Sequence, residues 1–415
     1  MNVAVLGAGI SGLTISRLLK KDGHEVVVYE KEDILGGIAR PRVVNGIPYH
    51  TVGGHCFNSN NSNVLNYIFS KILPEEEWNL LDRTSKIYLN GNYISYPIEF
   101  SIKEIACFDK KLAFNMFRDL ISNSGVQASN LYDWLIQTFG LTLAKEYFIP
   151  YNNKIWRRDL KQVSPSWVIG KLPVPNAEEV FESLIINKKD NMPHSTFYYP
   201  KSNSQSFFID KLATDLTVIK NYTIEKIEKL NNKWILNGEK GYDIIISTIP
   251  LNELPYLIKE SPTEIINAAS KLCYNRVSTV LWESDITDRT WTYYPSGEYL
   301  FHRQIHIGNF VTPNKPYTIT EVMGEVDFDK YIRNCKNSSF LINPIDHNLS
   351  NHAYVLFEKD TITNKQIIFN YLSSIGMYTL GRFGEWEYYN MDICIEKAIC
   401  LSKRIMKEGE YERKI

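Results

Sequence analysis

Long apolar runs are what this sequence most plainly lacks. None approaches the ~20 residues that cross a bilayer, so no membrane-spanning helix and no membrane partner are expected. A surplus of charge is missing too. Lys and Arg number 46 against 47 Asp and Glu, a formal net charge of -1, which argues against nucleic acid held through a general basic field. Cysteine is sparse: Cys56, Cys107, Cys273, Cys335, Cys394 and Cys400 show no metal-type spacing. They read as reduced cytosolic thiols, mostly core, and no metal site is expected. Sequence repeats and low-complexity tracts are absent. The first strand pattern begins at residue 2 or 3, which leaves no room for a cleavable leader and makes a cytoplasmic location the expectation.

What is present organises itself around the first thirty residues. The apolar run Val3-Ala4-Val5-Leu6 feeds Gly7-Ala8-Gly9-Ile10-Ser11-Gly12, then a helical pattern ending near Gly23. A second strand, Glu25 to Tyr29, delivers Glu30 at the distance where an acid meets the ribose hydroxyls of a dinucleotide. Gly7, Gly9 and Gly12 divide the work between a tight turn, close approach of backbone to pyrophosphate, and close helix-to-strand contact. The helix start then faces the phosphates with unpaired N–H groups. A second glycine pair, Gly36-Gly37, follows soon after the acid, with Arg40 just beyond. At 415 residues the chain exceeds the usual size of one core, so two or three interlocked domains are expected.

Further along, Gly53-Gly54 would let backbone come close to a flat ring system, and His55 is either a surface loop residue or a group near that ring. Ser85 to Pro97 reads as a hairpin turning at Gly91-Asn92, and Ile102 to Phe148 reads helical throughout, an inserted helical domain. Tyr151 to Arg158 looks too polar and aromatic for a buried element. Lys171 to Asn176 carries two prolines within three residues and predicts a mobile loop. Thr196 to Asp215 gives a strand, a turn and a helix, and Tyr242 to Pro250 a buried strand of the cofactor sheet.

Residues 275 to 325 alternate as antiparallel strands. In Phe301 to Ile307, His302, Gln304 and His306 share one face while Arg303 points with Ile305 to the apolar one. An arginine there needs an anionic partner, either a structural carboxylate or a bound phosphate. Gly381-Arg382-Phe383-Gly384 precedes a helix from Ile393 to about Met406, a second place for backbone N–H groups to meet a cofactor. Tyrosine alone numbers 26, and hydroxyl-bearing rings suit a sugar pocket.

Together these islands resemble the UDP-galactopyranose mutase family. The likeness rests on Gly53-Gly54-His55, Tyr151-Asn152 to Trp156, Pro175-Asn176, Trp291 to Pro295, Phe301 to Arg303, His352-Ala353-Tyr354, and above all Gly381 to Gly384 with Tyr388 and Asp392. The resemblance implies an α/β fold: an FAD-binding Rossmann-like domain (1–82, 196–250 and 376–415), an inserted helical domain with a mobile substrate loop (101–195), and an antiparallel six-stranded sheet domain (83–100 and 251–375). It implies reduced FAD as cofactor, with flavin N5 attacking the anomeric carbon of a nucleotide-diphosphate sugar, and a homo-oligomer, by default a dimer. Gly7, Gly9, Gly12, Glu30, Gly36, Gly37, Arg40, Gly54, Arg382, Met391 and Asp392 would hold FAD. His55 would sit beside flavin N5. Arg303, Lys171, Tyr354 and Tyr388 would meet the diphosphate, and Tyr96, Glu99, Tyr151, Asn152, Trp156, Asn176 and Tyr293 the rest of the substrate.

Three departures stand out. The family's loop arginine falls at Lys171 by the eukaryotic pattern, which keeps charge but loses the bidentate fork, and at uncharged Pro175 by the bacterial one. Lys201 to Gln205 replaces a glycine-rich turn. In Tyr96-Pro97-Ile98-Glu99 a carboxylate replaces the amide that meets uracil; as a pure acceptor it would suit the paired N–H donors of guanine, so a nucleotide other than UDP is expected. An amine-oxidase-like flavoenzyme shares the fold and is the alternative. A non-catalytic escort of the Rab GDP-dissociation-inhibitor kind is disfavoured by the intact cofactor glycines.

Overall fold

A computed structural model describes residues 1–122, 128–168, 172–185, 195–336 and 338–412. A five-stranded parallel sheet runs in the order Tyr378–Thr379, Ile244–Ser247, Asn2–Leu6, Glu25–Tyr29, Thr217–Ile219. Its central strand is apolar on both sides because both faces are covered, and Val3, Ala4, Val5 and Leu6 are all fully buried. Helix Ile10–Lys21 packs against helix Met391–Glu412, which starts two residues earlier and runs further than its sequence pattern suggested.

The second sheet has seven strands, where the family resemblance implied six. Their order is Leu341–Val355, Tyr274–Ser284, Tyr317–Met323, Arg303–Ile305, Trp291–Tyr293, Ser85–Leu89, Asn92–Ser95. Neighbours are antiparallel except at one join: Trp291–Tyr293 pairs parallel with Ser85–Leu89, which welds the early hairpin onto the later meander. The hairpin turns at Asn90-Gly91, one residue earlier than expected, because both residues adopt the positive φ that a two-residue turn of matching twist requires (49° and 81°).

Helices Ile102–Ala106, Lys110–Ile121, Leu131–Phe139 and Ile149–Trp156 follow, the first packed on strand Asn92–Ser95 and the last on Tyr317–Met323. Two carry capping side chains, Asp109 accepting from Leu112 N and Asn130 from Asp133 N. The stretch expected to be too polar for burial is the last of these helices. Its polar atoms are satisfied one turn apart: buried Trp156 Nε1 donates to Asn152 Oδ1 at 3.1 Å, and Asn152 Nδ2 donates to Phe148 O. Only Cys335 and Cys394 of the six cysteines are buried, so "mostly core" does not describe them; Cys107 and Cys400 are exposed. No described helix is long and apolar enough to cross a membrane, and no three metal-ligating side chains cluster among the described residues.

Candidate active site

The glycine turn is built as a cradle. Gly7 holds φ +101°, and a Cβ on Gly12 would lie 2.0 Å from Gly7 O, so helix and strand meet there without room for a side chain. A Cβ on Gly9 would meet nothing within 4 Å; this is the open face of the turn. Helix Ile10–Lys21 starts there with no side-chain cap, leaving its N–H groups for a ligand. Glu30 is buried and accepts from Ala8 N at 2.8 Å and Glu32 N at 3.0 Å, which fixes its carboxylate at the turn. The second glycine pair sits directly on the first turn, Gly36 N donating to Ala8 O at 2.8 Å.

Arg40 is paired with Asp210 at 2.7 Å, so its charge already has a protein partner. Gly381 N donates to the Glu385 carboxylate at 3.1 Å, so that N–H is capped within the chain and does not lie open to a cofactor. Arg382 lies over the rings of Tyr354 and Tyr388, at 4.9 and 4.5 Å, and donates to Ala353 O at 3.0 Å. Met391 receives Gln205 Nε2 on its sulfur, and Asp392 stands in the first turn of the last helix, where a negative charge is favourable.

His55 does not face solvent. Burial first, then the Arg382 guanidinium, lower it to about 3, so the ring is neutral. Its Nε2 is buried without a partner among the described residues, as is Arg382 Nε. Orphaned polar atoms of this kind, together with the open glycine turn, fit a dinucleotide with a polar ring system, and a flavin nucleotide fits these residues.

Past this cradle lies a cavity of about 250 Å³. Nine of the expected residues line it: Tyr96, Glu99, Tyr151, Asn152, Trp156, Tyr293, Arg303, Tyr354 and Tyr388. The helix Ile149–Trp156 supplies three of them and the seven-stranded sheet three more, Tyr293, Arg303 and Tyr354. Tyr354 and Tyr388 stack at 5.8 Å, nearly parallel. Burial raises the phenols of Tyr151 and Tyr354 above their ordinary 10, so both stay protonated donors at neutral pH.

Arg83 and Arg303 both line the cavity, and the one beside Tyr354 is Arg303. Its Nη2 donates to Glu321 Oε1 at 2.8 Å and to Tyr354 Oη at 2.6 Å. The structural carboxylate expected for an apolar-face arginine is therefore present, directly opposite on the next strand. The guanidinium still reaches the cavity, with 16% of its side chain exposed.

Two expected residues are elsewhere. Asn176 is exposed at the start of helix Ala177–Ile185, accepting from Glu179 N while Glu179 accepts from Asn176 N, a reciprocal helix cap and not part of the cavity. Lys171 lies outside the described residues.

Glu99 overturns its own premise. It is 2% exposed, and burial pushes its carboxyl up to about 8. At neutral pH it is a protonated acid, donor on one oxygen and acceptor on the other, not a pure acceptor.

Sequence reasoning missed Arg83 and Glu321. Arg83 donates to Tyr293 Oη at 3.0 Å and lies over Trp291 at 4.6 Å, but nothing local to Arg83-Thr84-Ser85 marks it. Glu321 did leave a signal: it is the one acid inside the otherwise apolar and threonine-rich strand Tyr317–Met323.

The profile of NAD(P)-binding Rossmann-like domains matches residues 5–72. A protein from Klebsiella pneumoniae described as a probable UDP-galactopyranose mutase is 27% identical over 182 residues, covering 42% of this chain and 45% of the relative. The dTDP-fucopyranose mutase of Escherichia coli is 26% identical over 181 residues, covering 41% and 46%. The chain thus spans a little under half the length of the curated relatives it matches. In three dimensions the likeness extends further. The crystal structure of a reduced UDP-galactopyranose mutase superposes with a TM-score of 0.85 over 98% of this chain and 95% of that one, at 20% identity, so the whole fold is shared.

Proposed function

We propose that this chain is an isomerase, a flavin-dependent mutase that interconverts pyranose and furanose forms of a nucleotide-diphosphate sugar. The observation that carries the reading is the convergence of Arg303, Tyr354 and Tyr388 on one phenol-lined cavity, with Arg382 packed over both tyrosines and close to His55. The partial sequence likeness to two nucleotide-sugar mutases points the same way.

Bound in its reduced form, FAD would supply the nucleophilic centre for the anomeric carbon. The chain's own residues do the rest. As the bond from sugar to diphosphate breaks, negative charge grows on the phosphate oxygens, and Arg303 meets it in a water-poor site where a fixed cation counts for much more than in bulk. Tyr354 accepts from Arg303 at 2.6 Å and donates to Glu321 Oε1 only over a long 3.5 Å, so its phenol proton can turn from that weak bond to a phosphate oxygen. The aromatic walls, with the stacked Tyr147 and Tyr151, exclude water that would hydrolyse the activated sugar. Neutral Glu99, offering a donor and an acceptor side by side, matches the adjacent C=O and N–H of uracil or thymine as well as of guanine. The expectation against UDP therefore loses its footing, and all three nucleotides belong in the assay.

The test incubates dithionite-reduced protein with UDP-, dTDP- and GDP-sugars and looks for furanose products. Many turnovers per reduction are expected, with Arg303→Ala lowering turnover by ~10²–10³-fold while flavin stays bound. Stoichiometric consumption of oxygen by an amine-type substrate would select the oxidase reading instead. A colourless protein would revive the escort.

A further inference from the structure

Glu321 is fully buried in the middle of the seven-stranded sheet, yet it bonds to two separate parts of the site. Oε2 accepts from the Gly53 N–H at 2.8 Å, and Oε1 accepts from Arg303 Nη2 at 2.8 Å. Gly53 opens the turn that carries His55. We propose that Glu321 is a positioning residue: one carboxylate clamps Arg303 to the Gly53–His55 turn, so the anion-binding cation and the residues beside the cofactor ring keep one fixed spacing. The proposal rests on the reading of Arg303 as the partner of a diphosphate.

The geometry is tighter than an ordinary ion pair needs. Gly53 holds φ +65°, and a Cβ there would meet Arg303 Nη2 and Tyr354 Oη, each at 3.3 Å. The turn thus passes against the guanidinium with only hydrogen between them. Both groups that converge here, the Gly53 N–H and Arg303 Nη2, are donors, and Glu321 is the acceptor that lets them stand together. A buried ion pair is a poor source of net stability compared with apolar packing, so its worth lies in what it holds in register.

The clamp also takes only one edge of the fork. Arg303 Nε has no partner among the described residues, and the side chain keeps its opening to the cavity. His302 Nε2 lies 3.3 Å from Oε1, close enough to crowd the same oxygen. Burial pushes the Glu321 carboxyl up, but Arg303, His302 and the Gly53 N–H together hold it down to about 2, so the clamp stays charged across neutral pH.

The test is a double-mutant cycle on ligand binding, read without turnover. Calorimetry measures the tightest-binding of UDP, dTDP and GDP on flavin-loaded wild type, R303A, E321Q and R303A/E321Q. Gln keeps an acceptor for Gly53 but turns an N–H₂ toward Arg303. If Glu321 acts through Arg303, E321Q weakens binding by at least ~10-fold, and the double variant binds no more than ~2-fold weaker than R303A. A purely structural role would lower thermal stability and leave the affinity alone, or add its loss to that of R303A; either result overturns the proposal. If E321Q does not fold, E321D keeps the charge but cannot span both partners, and is expected to lose affinity severalfold; wild-type affinity in E321D would overturn the clamp. Wild-type affinity in R303A would remove the underlying reading of the anion site and the proposal with it. Weak binding in R303A with normal binding in E321Q would remove only the clamp.

Discussion

Glu99→Gln should make the protein more stable than wild type at alkaline pH and hardly different at acid pH. The carboxyl of Glu99 is 2% exposed, no cation lies within ion-pair reach of it among the described residues, and burial raises it from an ordinary 4.5 to about 8. The folded chain keeps this proton up to about pH 8, whereas the unfolded chain releases it near 4.5. Folding therefore takes up a proton between those values: the protonated acid's contribution is full below ~4.5 and is lost as pH rises through about 8. At ~1.36 kcal/mol per pH unit, the difference sets a ceiling of roughly 5 kcal/mol on the effect. Gln has nearly the same shape and does not titrate. The neighbours that could blur the comparison do not change charge in this range: burial raises Tyr96 and Tyr147 above their ordinary 10, and Arg83 stays a cation. Urea midpoints of nucleotide-free wild type and E99Q, followed by fluorescence at several pH values from about 5 to about 8.5, give the stability difference directly. It should grow steadily in favour of E99Q with rising pH. A difference that stays flat within about 0.5 kcal/mol would mean that Glu99 is ionised throughout and offers the cavity acceptors alone.

The two inner glycines of the cradle should fail in different ways. Gly9→Val adds atoms where nothing lies within 4 Å, so the protein should melt as wild type does but purify without flavin absorbance; a yellow G9V protein would place the cofactor elsewhere. Gly12→Ala drives a Cβ to 2.0 Å from Gly7 O, and its melting temperature should fall by several degrees or more, with an unchanged melt counting against the packing role. Tyr354→Phe removes the hydroxyl that accepts from Arg303 at 2.6 Å; turnover should drop by ~10–10²-fold with flavin retained, and a wild-type kcat would show that this phenol never meets the developing charge.

The parts of the fold that were readable from sequence are those whose causes are local. Strand, glycine turn, helix and acid all fall within thirty residues, and each glycine answers to a neighbour a few positions away: Gly12 to Gly7 O, Gly36 to Ala8 O. Local chemistry can also mislead. Asn176 and Glu179 form a helix cap whose residues look the same on paper as a polar substrate contact, and Asn152 and Trp156 hide their polar atoms in each other one turn apart. The sheet's parallel join escaped because it needs Trp291–Tyr293 to pair with a hairpin some two hundred residues earlier. Arg83 escaped for the same reason, since its partners Tyr293 and Trp291 come from that join.

The two buried acids beside the cavity carry the point further, because side-chain identity alone could not tell them apart. Glu99 and Glu321 are each almost wholly removed from water, and desolvation pushes both carboxyls up. Glu321 faces Arg303 and the Gly53 N–H, which outweigh that push and hold it at about 2; Glu99 has no such partners among the described residues and rises to about 8. At neutral pH one is therefore an anion that can fix a cation in place, and the other is a neutral acid that can give a proton to a hydrogen bond as well as take one. Groups of one kind pushed apart in this way are the usual mark of a working site. Under the proposed function this split divides the labour, with the charged acid serving the phosphate end of the cavity and the neutral one the end that meets the base, and it follows from the partners the fold brings to each carboxyl.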